Sequence, residues 1–403
     1  MSQQQQGLWD QQRTVLKDSI EQTVLSLCAY ADRYRHWCIA FSGGKDSTTV
    51  ATLVPHLIET GRVPRPESLT VLYADTRMEL LPLSVSAMGI IDELRQQEID
   101  ARVVLPPLDD RFMVYMLGRG VPPPNNKTLR WCTSQIKIEP MHAALRDLRA
   151  RIGEKILMLT GVRMGESAAR DERIVTSCSR DNAECGQGWL QVHTPEAVAD
   201  TLAPILHWRV CHVWAWLTAH APLHGWPTTT IAAAYGGDEA EEINARTGCV
   251  GCPLASKDAA LEAVIRQAQW AYLTPLLRLR ELYTDLRFNR ANRLRKSGVE
   301  RLKDGSIAGN PNRIGPLTLE AREAGLAEVL DIQATINRSA AELGRPSIDI
   351  LNTEEEVRIR ELIAAKTWPQ KWTGDEPTAD MPIDRSYADG SVLPLLPMFG
   401  GGA

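Results

Sequence analysis

A glycine-rich turn between an apolar run and a helical stretch constrains this chain more than any other feature. The apolar run Trp37-Cys38-Ile39-Ala40 leads into Phe41-Ser42-Gly43-Gly44-Lys45-Asp46-Ser47, and helical spacing continues from Thr48 to Glu59. Two adjacent glycines allow a sharp turn and leave no Cβ atom between the backbone N–H groups and an anion. Lys45 adds a point charge, and the Ser42 and Ser47 hydroxyls can donate hydrogen bonds. The segment predicts a phosphate-binding loop, with an ordinary turn as the alternative. It is not a Walker A loop, because Asp46 follows Lys45.

Strand and helix patterns alternate after this loop. Short β-rich runs cover Leu69 to Ala74, Ala101 to Leu105 and Ile156 to Thr160, and a helical stretch runs from about Pro82 to Gln97. This alternation predicts an α/β fold, with a doubly wound, mainly parallel sheet and helices on both faces. Ligands of such sheets bind beyond the carboxyl ends of the strands, where Ser42, Asp75 and Arg163 fall.

The rest of the chain divides by composition. We expect an N-terminal helix within residues 1–35, at about 8 to 34, then a catalytic domain over 36–255 and a mainly helical C-terminal extension over 256–403 with an irregular tail from about Trp372. The polar stretch from Ser177 to Asp200 predicts a long loop, and loops of this length are usually functional.

Charge and hydropathy restrict the class of protein. The 403 residues carry a formal net charge of -5, and no apolar stretch approaches the roughly 20 residues that span a bilayer. The start of the chain has neither a basic region nor an apolar core, so we expect a cytosolic protein with no membrane partner. One segment, Arg266 to Lys303, is basic and contains interleaved aromatic residues. It fits either a DNA-phosphate contact or a solvated helix face.

Eight cysteines in a reducing compartment favour metal ligands, reactive thiols and buried packing residues over disulfides. Cys249 and Cys252 form a CxxC pair bounded by glycine and proline, which aims two sulfurs at one ion. Metal binding is favoured over a redox pair because no thioredoxin-like βαβ pattern precedes the two cysteines. Cys132 is the candidate third ligand, and Cys185 is the candidate fourth, with Cys178 as the alternative. Spacing alone fits zinc and an iron–sulfur cluster equally.

Three further residues have chemistry suited to a nucleotide. Asp75, at the end of the second predicted strand, fits a Mg²⁺ or ribose contact, or simply a helix cap. Arg163 and Arg170 flank Glu166 and Ser167 and suit a phosphate clamp, because guanidinium groups grip phosphate oxygens in pairs. The candidate nucleotide-binding set is Ser42, Gly43, Gly44, Lys45, Asp46, Ser47, Asp75, Arg163 and Arg170, with Lys45, Asp46 and Arg163 as the candidate catalytic residues.

The Ser42 to Ser47 loop resembles that of the N-type ATP pyrophosphatases, whose SGGKDS loop binds the pyrophosphate part of ATP. Three further segments extend the likeness to the phosphoadenosine-phosphosulfate-reductase superfamily: Arg130-Trp131-Cys132-Thr133 with Lys137 and Pro140, Gly161 to Arg170, and Thr247 to Pro253. Within it, the motif order is most similar to the DNA phosphorothioation sulfurtransferases of the DndC and SspD type. The family pattern has a further cysteine after the CxxC pair, where this chain has Ala255 to Ala260.

The resemblance implies an adenine-nucleotide α-hydrolase-like fold, ATP and Mg²⁺ at the loop, and a [4Fe–4S] cluster on the cysteines, with zinc as the alternative. It implies a role in antiviral defence, with DNA, a cysteine desulfurase as sulfur donor and other phosphorothioation subunits as partners. The implied reaction adenylylates a DNA backbone phosphate oxygen so that sulfur replaces it. Alternatives are a reductase of adenylylated sulfate, a tRNA thiolase and a non-catalytic subunit that binds nucleotide and DNA.

Overall fold

A computed structural model describes residues 15–125, 129–165, 189–191, 197–235, 248–255, 257–296, 304–306, 314–369, 371–381, 385–387, 389 and 391–393. The chain divides into two compact units. The first comprises residues 1–75, 79–104 and 139–247, and the second comprises 76–78, 105–138 and 248–403. This division differs from the expected one at residues 105–138, which belong with the C-terminal part of the chain.

A single sheet forms the centre of the first unit. Its strands are β1 His36–Phe41, β2 Ser68–Ala74, β3 Asp100–Val104, β4 Ile156–Leu159, β5 Trp189–Gln191 and β6 Ala199–Ala203, in the order β3-β2-β1-β4-β6-β5. Five strands pair in parallel, and β5 pairs antiparallel with β6 at one edge. The strand order reverses between β1 and β4, which makes this the position where the loops of an α/β sheet part to admit a ligand.

Hydrophobic residues on β1 explain its central place. Trp37, Cys38, Ile39 and Phe41 are all buried, as a parallel strand covered on both faces requires. The helices of this unit are α1 Leu16–Ala31, α2 Lys45–Glu59, α3 Leu81–Gln96, α4 Glu139–Ile152, α5 Val210–Ala215 and the single turn α6 Ala221–Leu223, with a π-helical segment Trp216–His220 and a 3₁₀ segment Thr229–Tyr235.

The second unit is mainly helical. Its helices are α7 Ala259–Ile265, α8 Leu277–Phe288, α9 Leu319–Leu343 and α10 Thr353–Ala364, with 3₁₀ segments at Leu108–Asp110, Ala268–Leu276 and Arg290–Asn292 and π-helical segments at Val114–Gly118 and Ser134–Ile138. Strands β7 Arg293–Arg295 and β8 Ile314–Leu317 pair antiparallel, as do β9 Arg385–Ser386 and β10 Val392–Leu393.

A buried arginine organises the core of the second unit. Arg322 is 0% exposed on α9, and its guanidinium donates to the carbonyls of Leu117, Gly118 and Thr367. Carbonyls at the end of the π-helical segment lack helical partners, so this side chain satisfies acceptors that would otherwise be buried unpaired.

The predicted α/β class is confirmed, and so is the helical C-terminal part. The described part of the expected N-terminal helix is α1, and the expected start near residue 8 lies outside the described residues. One expectation is corrected: the stretch predicted as a loop from Ser177 to Asp200 contains β5 and the start of β6. None of the described helices combines the length and apolar character needed to cross a membrane.

Candidate functional site

The predicted phosphate loop joins β1 to α2 at the carboxyl edge of the sheet. Gly43 adopts φ +73°, a left-handed conformation that glycine accepts without steric cost. Gly44 precedes the first residue of α2 in extended conformation. The Ser47 hydroxyl donates to the Gly44 carbonyl at 3.0 Å and accepts from the Ser42 N–H at 3.2 Å. The loop is therefore closed by its own serines, and the N-terminus of a 15-residue helix points out of it.

Two cations meet on one carboxylate at this loop. Lys45 Nζ lies 3.0 Å from Asp46 Oδ2, and Arg163 Nε lies 2.5 Å from Asp46 Oδ1. The Arg163 side chain is only 6% exposed, and a second hydrogen bond to the Trp208 carbonyl, at 3.2 Å, fixes its plane. The structure thus brings together all three candidate catalytic residues, although 117 positions separate Asp46 from Arg163.

The backbone at Gly161, just after β4, lies in close contact with the phosphate loop, and this contact places Arg163 near the loop. A Cβ atom added to Gly161 would lie 2.6 Å from the Ser47 nitrogen and 2.7 Å from the Asp46 carbonyl carbon. Real Cβ atoms do not approach backbone atoms this closely, so only glycine fits at this position. The segment after β4 packs directly on the phosphate loop.

Sequence reasoning missed Tyr235. Its hydroxyl accepts a hydrogen bond from the Lys45 N–H at 3.1 Å, and the Lys45 ammonium lies 5.2 Å from the centre of its ring. The ring packs edge-on against Trp214, with centroids 5.1 Å apart. No local pattern marks this tyrosine, which stands 190 positions from the loop.

Two further candidate nucleotide ligands are Asp75 and Arg170. Asp75 follows β2, and its N–H donates to the Val104 carbonyl at 3.1 Å. Two positions earlier in the sequence, Tyr73 packs 3.6 Å from where a Gly43 Cβ would lie. Burial, and then the charges of Glu79 and Asp75, raise the pKa of Tyr73, so its hydroxyl stays neutral. Arg170 lies outside the described residues.

The CxxC pair forms a tight turn in the second unit. The Cys252 N–H donates to the Cys249 carbonyl at 3.1 Å, and Gly251 adopts φ +65°. Asp258, which caps α7, accepts the Gly251 N–H at 2.8 Å, and Arg280 donates to the Cys252 carbonyl at 3.0 Å. The backbone of the turn is therefore held rigidly from two sides.

Cys132 lies within electrostatic range of this turn. Burial is the main cause that raises the pKa of the Cys132 thiol, the charge of Cys252 raises it further, and hydrogen bonds to Thr133 lower it. The pKa of the buried Tyr283 is also raised, first by burial and then by the charges of Cys249 and Cys252. Three thiols thus share one region of the second unit. Cys185 and Cys178 lie outside the described residues.

The fit of a metal to these thiols is incomplete in the described part of the chain. No three His, Cys, Asp or Glu side chains there form a group that could hold a metal ion. The donor type, thiolate sulfur, suits zinc or iron–sulfur binding. Because the Cys132 pKa is raised, a metal that binds it has to displace a proton.

The basic segment Arg266 to Lys303 is largely engaged within the second unit. Arg278 pairs with Glu328 and Asp331, and Lys296 pairs with Glu376. Arg280, Arg287, Arg290 and Arg293 donate to backbone carbonyls. Arg293 is so deeply buried that its pKa falls to about 10. These contacts favour a structural use for much of the segment.

A family comparison identifies the region that contains the loop. The family model described as the phosphoadenosine phosphosulfate reductase domain matches residues 36–224. Residues 36–224, just under half of the chain, are therefore similar to a phosphoadenosine phosphosulfate reductase domain. This domain spans β1 to β6, so the loop at Ser42 to Ser47, Gly161 and Arg163 all lie inside it, whereas Tyr235 and the CxxC pair lie beyond its matched end.

Individual relatives are distant. Uncharacterized protein MJ0973 of Methanocaldococcus jannaschii is 25% identical over 284 residues, which cover 68% of this chain and 53% of that protein. The chain therefore spans about half the length of this curated relative. The likeness includes sequence outside the phosphoadenosine phosphosulfate reductase domain, because 284 residues exceed the length of the matched region.

Two solved structures align with parts of this chain at low similarity. The FMN adenylyltransferase of Candida glabrata, in complex with FMN and the ATP analogue AMPCPP, has 15% identity and a TM-score of 0.31, over 54% of this chain and 60% of that chain. The phosphoadenylyl-sulfate reductase of Candida auris, as a phosphate complex, has 12% identity and a TM-score of 0.31, over 51% and 83%. The fold is described by the strand order of the first unit and not by these likenesses.

Proposed function

We propose that this protein is an ATP pyrophosphatase that forms AMP and serves sulfur transfer to a DNA backbone phosphate. The observation that carries the proposal is the meeting of Lys45 and Arg163 on Asp46 above the N-terminus of α2. Two cations and the N–H groups of a helix start suit the negative charge of a triphosphate. The DNA acceptor comes from the motif resemblance alone.

The chemistry needs an activated phosphate oxygen. A nonbridging oxygen of a DNA phosphate attacks the α-phosphorus of ATP, and the bond to the β-phosphate oxygen breaks to release pyrophosphate. A cysteine desulfurase supplies sulfur as a persulfide, and a thiol reductant releases it as sulfide while a disulfide forms. The sulfide then attacks the DNA phosphorus, and the activated oxygen leaves within AMP. Lys45 and Arg163 neutralise the charge that develops on the departing pyrophosphate.

Two groups that the resemblance implies would assist. Asp75, at the carboxyl end of β2, would hold Mg²⁺, which shields phosphate charge when bound. Cys132, Cys249 and Cys252 would hold an iron–sulfur cluster or zinc, with Cys185 as the proposed fourth ligand. Anaerobic purification with an absorption spectrum near 400 nm and iron and zinc analysis tests the metal.

The nucleotide product tests the proposed reaction. We expect AMP and pyrophosphate from ATP in the presence of DNA, a desulfurase and the partner subunits. Lys45→Ala removes the ammonium that faces the leaving group, and we expect its rate to fall by about 100-fold or more. Chromatography of the nucleotide products measures this. Lys17→Ala, which changes an exposed lysine of α1, is the matched control. Release of ADP and phosphate would contradict the mechanism. Sulfur label found in tRNA would show that the acceptor is tRNA and not DNA.

A second candidate is reduction of an adenylylated sulfate, which the description of the matched family favours. Such a reaction needs a thiol that attacks sulfur, usually on a mobile C-terminal segment, and the last cysteine here is Cys252. Sulfite formation from a sulfonucleotide and thioredoxin would select this candidate.

A further inference from the structure

Tyr235 occupies an unusual place at the phosphate loop. It ends the 3₁₀ segment Thr229–Tyr235 and is only 4% exposed. Its hydroxyl accepts from the Lys45 N–H at 3.1 Å and would lie 3.5 Å from a Cβ on Gly44. The oxygen of this side chain therefore lies against the glycine–lysine backbone where α2 begins.

The donor that Tyr235 binds belongs to the first turn of a helix. The first N–H groups of a helix have no partner within it and are the groups that bind phosphate oxygens. Asp46 meanwhile accepts from Lys45 Nζ and Arg163 Nε. Each of these three donors thus has an oxygen acceptor from the protein itself: one hydroxyl and the two carboxylate oxygens.

The ring of Tyr235 has a separate role. The Lys45 ammonium lies 5.2 Å from its centroid, a cation–π distance, and Trp214 supports the ring from another side. The ring holds the ammonium over the loop, whereas the hydroxyl occupies a backbone donor. A bound phosphate would benefit from the first contact and compete with the second.

We propose that Tyr235 is a positioning residue of the polyphosphate pocket, whose hydroxyl holds the Lys45 amide until a phosphate oxygen replaces it while the ring keeps the Lys45 ammonium in place. This inference rests on the proposed function, because it takes the loop to be the pyrophosphate site. The Tyr235 hydroxyl should lower the affinity for polyphosphate, and the Tyr235 ring should raise it.

Isothermal titration of the full-length chain separates the two parts. Tyr235→Phe removes the competing hydroxyl and keeps the ring, so we expect inorganic pyrophosphate and α,β-methylene-ATP to bind about threefold to tenfold tighter. Tyr235→Ala also removes the cation–π contact, so we expect weaker binding than in Tyr235→Phe. AMP lacks the pyrophosphate part, and its affinity should stay unchanged.

Tyr34→Phe is the matched control. Tyr34 is equally buried, at 4% exposed, and its hydroxyl donates to Asp200 at the opposite end of the sheet. This variant should leave the affinity for pyrophosphate unchanged. A 3-fluorotyrosine at position 235 gives a second measurement that keeps the hydroxyl, and its ¹⁹F resonance should shift when pyrophosphate is added.

Several results would overturn the inference. Unchanged or weaker pyrophosphate binding by Tyr235→Phe would do so, as would an equal gain for AMP or an unmoved ¹⁹F resonance. These differ from failure of the proposed function, in which the wild-type chain itself would bind neither pyrophosphate nor ATP.

Discussion

Gly161 shows how a single residue without a side chain assembles the site. Its backbone lies against the peptide that joins Asp46 to Ser47, and two positions later Arg163 reaches the Asp46 carboxylate. The sequence contributes the glycine and the arginine as neighbours, and the sheet places them over the loop. The close approach sets the position of the guanidinium relative to the phosphate-binding backbone.

We predict that Gly161→Ala moves the segment after β4 away from the loop. The added methyl would lie 2.6 Å from the Ser47 nitrogen, and overpacking of this kind costs about 1–3 kcal/mol. Because Arg163 would be displaced with it, pyrophosphate affinity should fall by about tenfold or more. Urea unfolding and isothermal titration measure the two effects.

Gly248→Ala is the control for this substitution. A Cβ at Gly248 meets no atom within 4 Å, and no left-handed φ is involved. We expect unchanged pyrophosphate affinity in this variant. Equal affinity for Gly161→Ala and the wild type would show that the loop tolerates the methyl, which would contradict the prediction.

At the scale of elements, the CxxC turn and α7 depend on one carboxylate. Asp258 Oδ1 accepts the Leu261 N–H at 3.3 Å as the cap of α7, and Oδ2 accepts the Gly251 N–H at 2.8 Å. A side chain does not fit at Gly251, because an added Cβ would lie 3.0 Å from Leu279 Cβ. The turn that presents Cys249 and Cys252 is thus coupled to the start of a helix.

Asp258→Ala removes both acceptors. Loss of a cap costs about 0.5–2 kcal/mol, and a buried N–H left unpaired costs about 1–3 kcal/mol. We expect the free energy of unfolding to fall by about 2–4 kcal/mol, as measured by urea titration. Asp258→Asn keeps one acceptor oxygen and should lose roughly half as much. A loss below about 1 kcal/mol for the alanine variant would contradict the proposed coupling.

The sequence predicts an element when the residues of that element alone determine it, and it does not when distant partners are needed. β1 and β2 are apolar runs buried on both faces, so composition alone indicates them. β6 contains Asp200, which is buried because Tyr34 and Lys155 pair with it, and no local pattern shows those partners. The loop residues follow from their spacing. Tyr235 joins them only through the fold.

At the scale of the whole molecule, many of the positive side chains that could contact DNA phosphates already contact other groups of the protein. The formal net charge is -5, and the most basic segment, Arg266 to Lys303, holds six cations that already contact protein oxygens: Arg278, Arg280, Arg287, Arg290, Arg293 and Lys296. If all ten cations of this segment neutralised DNA phosphates, the logarithm of DNA affinity would fall with the logarithm of salt concentration with a slope of about -9. We expect a much smaller contribution from this segment.

We predict that the slope of log affinity for DNA against log salt is no steeper than about -4 for the full chain, because at least these six cations stay with their partners. Fluorescence anisotropy with labelled duplex between about 50 and 300 mM salt measures it. As a control, Arg293→Ala should lower the free energy of unfolding without changing the slope, since Arg293 is buried and bonded to carbonyls. A slope near -9 would mean that the arginines leave their present contacts.

The discontinuous second unit has a consequence for biosynthesis. Residues 105–138 leave the ribosome long before the helices that cover them. Gly118 packs on Leu362 of α10, and the Leu117 carbonyl accepts a hydrogen bond from Arg322 of α9. Both helices are synthesised much later. At about 5–20 residues per second, the interval is roughly 10 to 50 seconds. During that time Phe112, Met113 and Met116, all buried in the finished protein, lack their native cover. Nascent chains stalled between these two regions would therefore recruit chaperones at this segment.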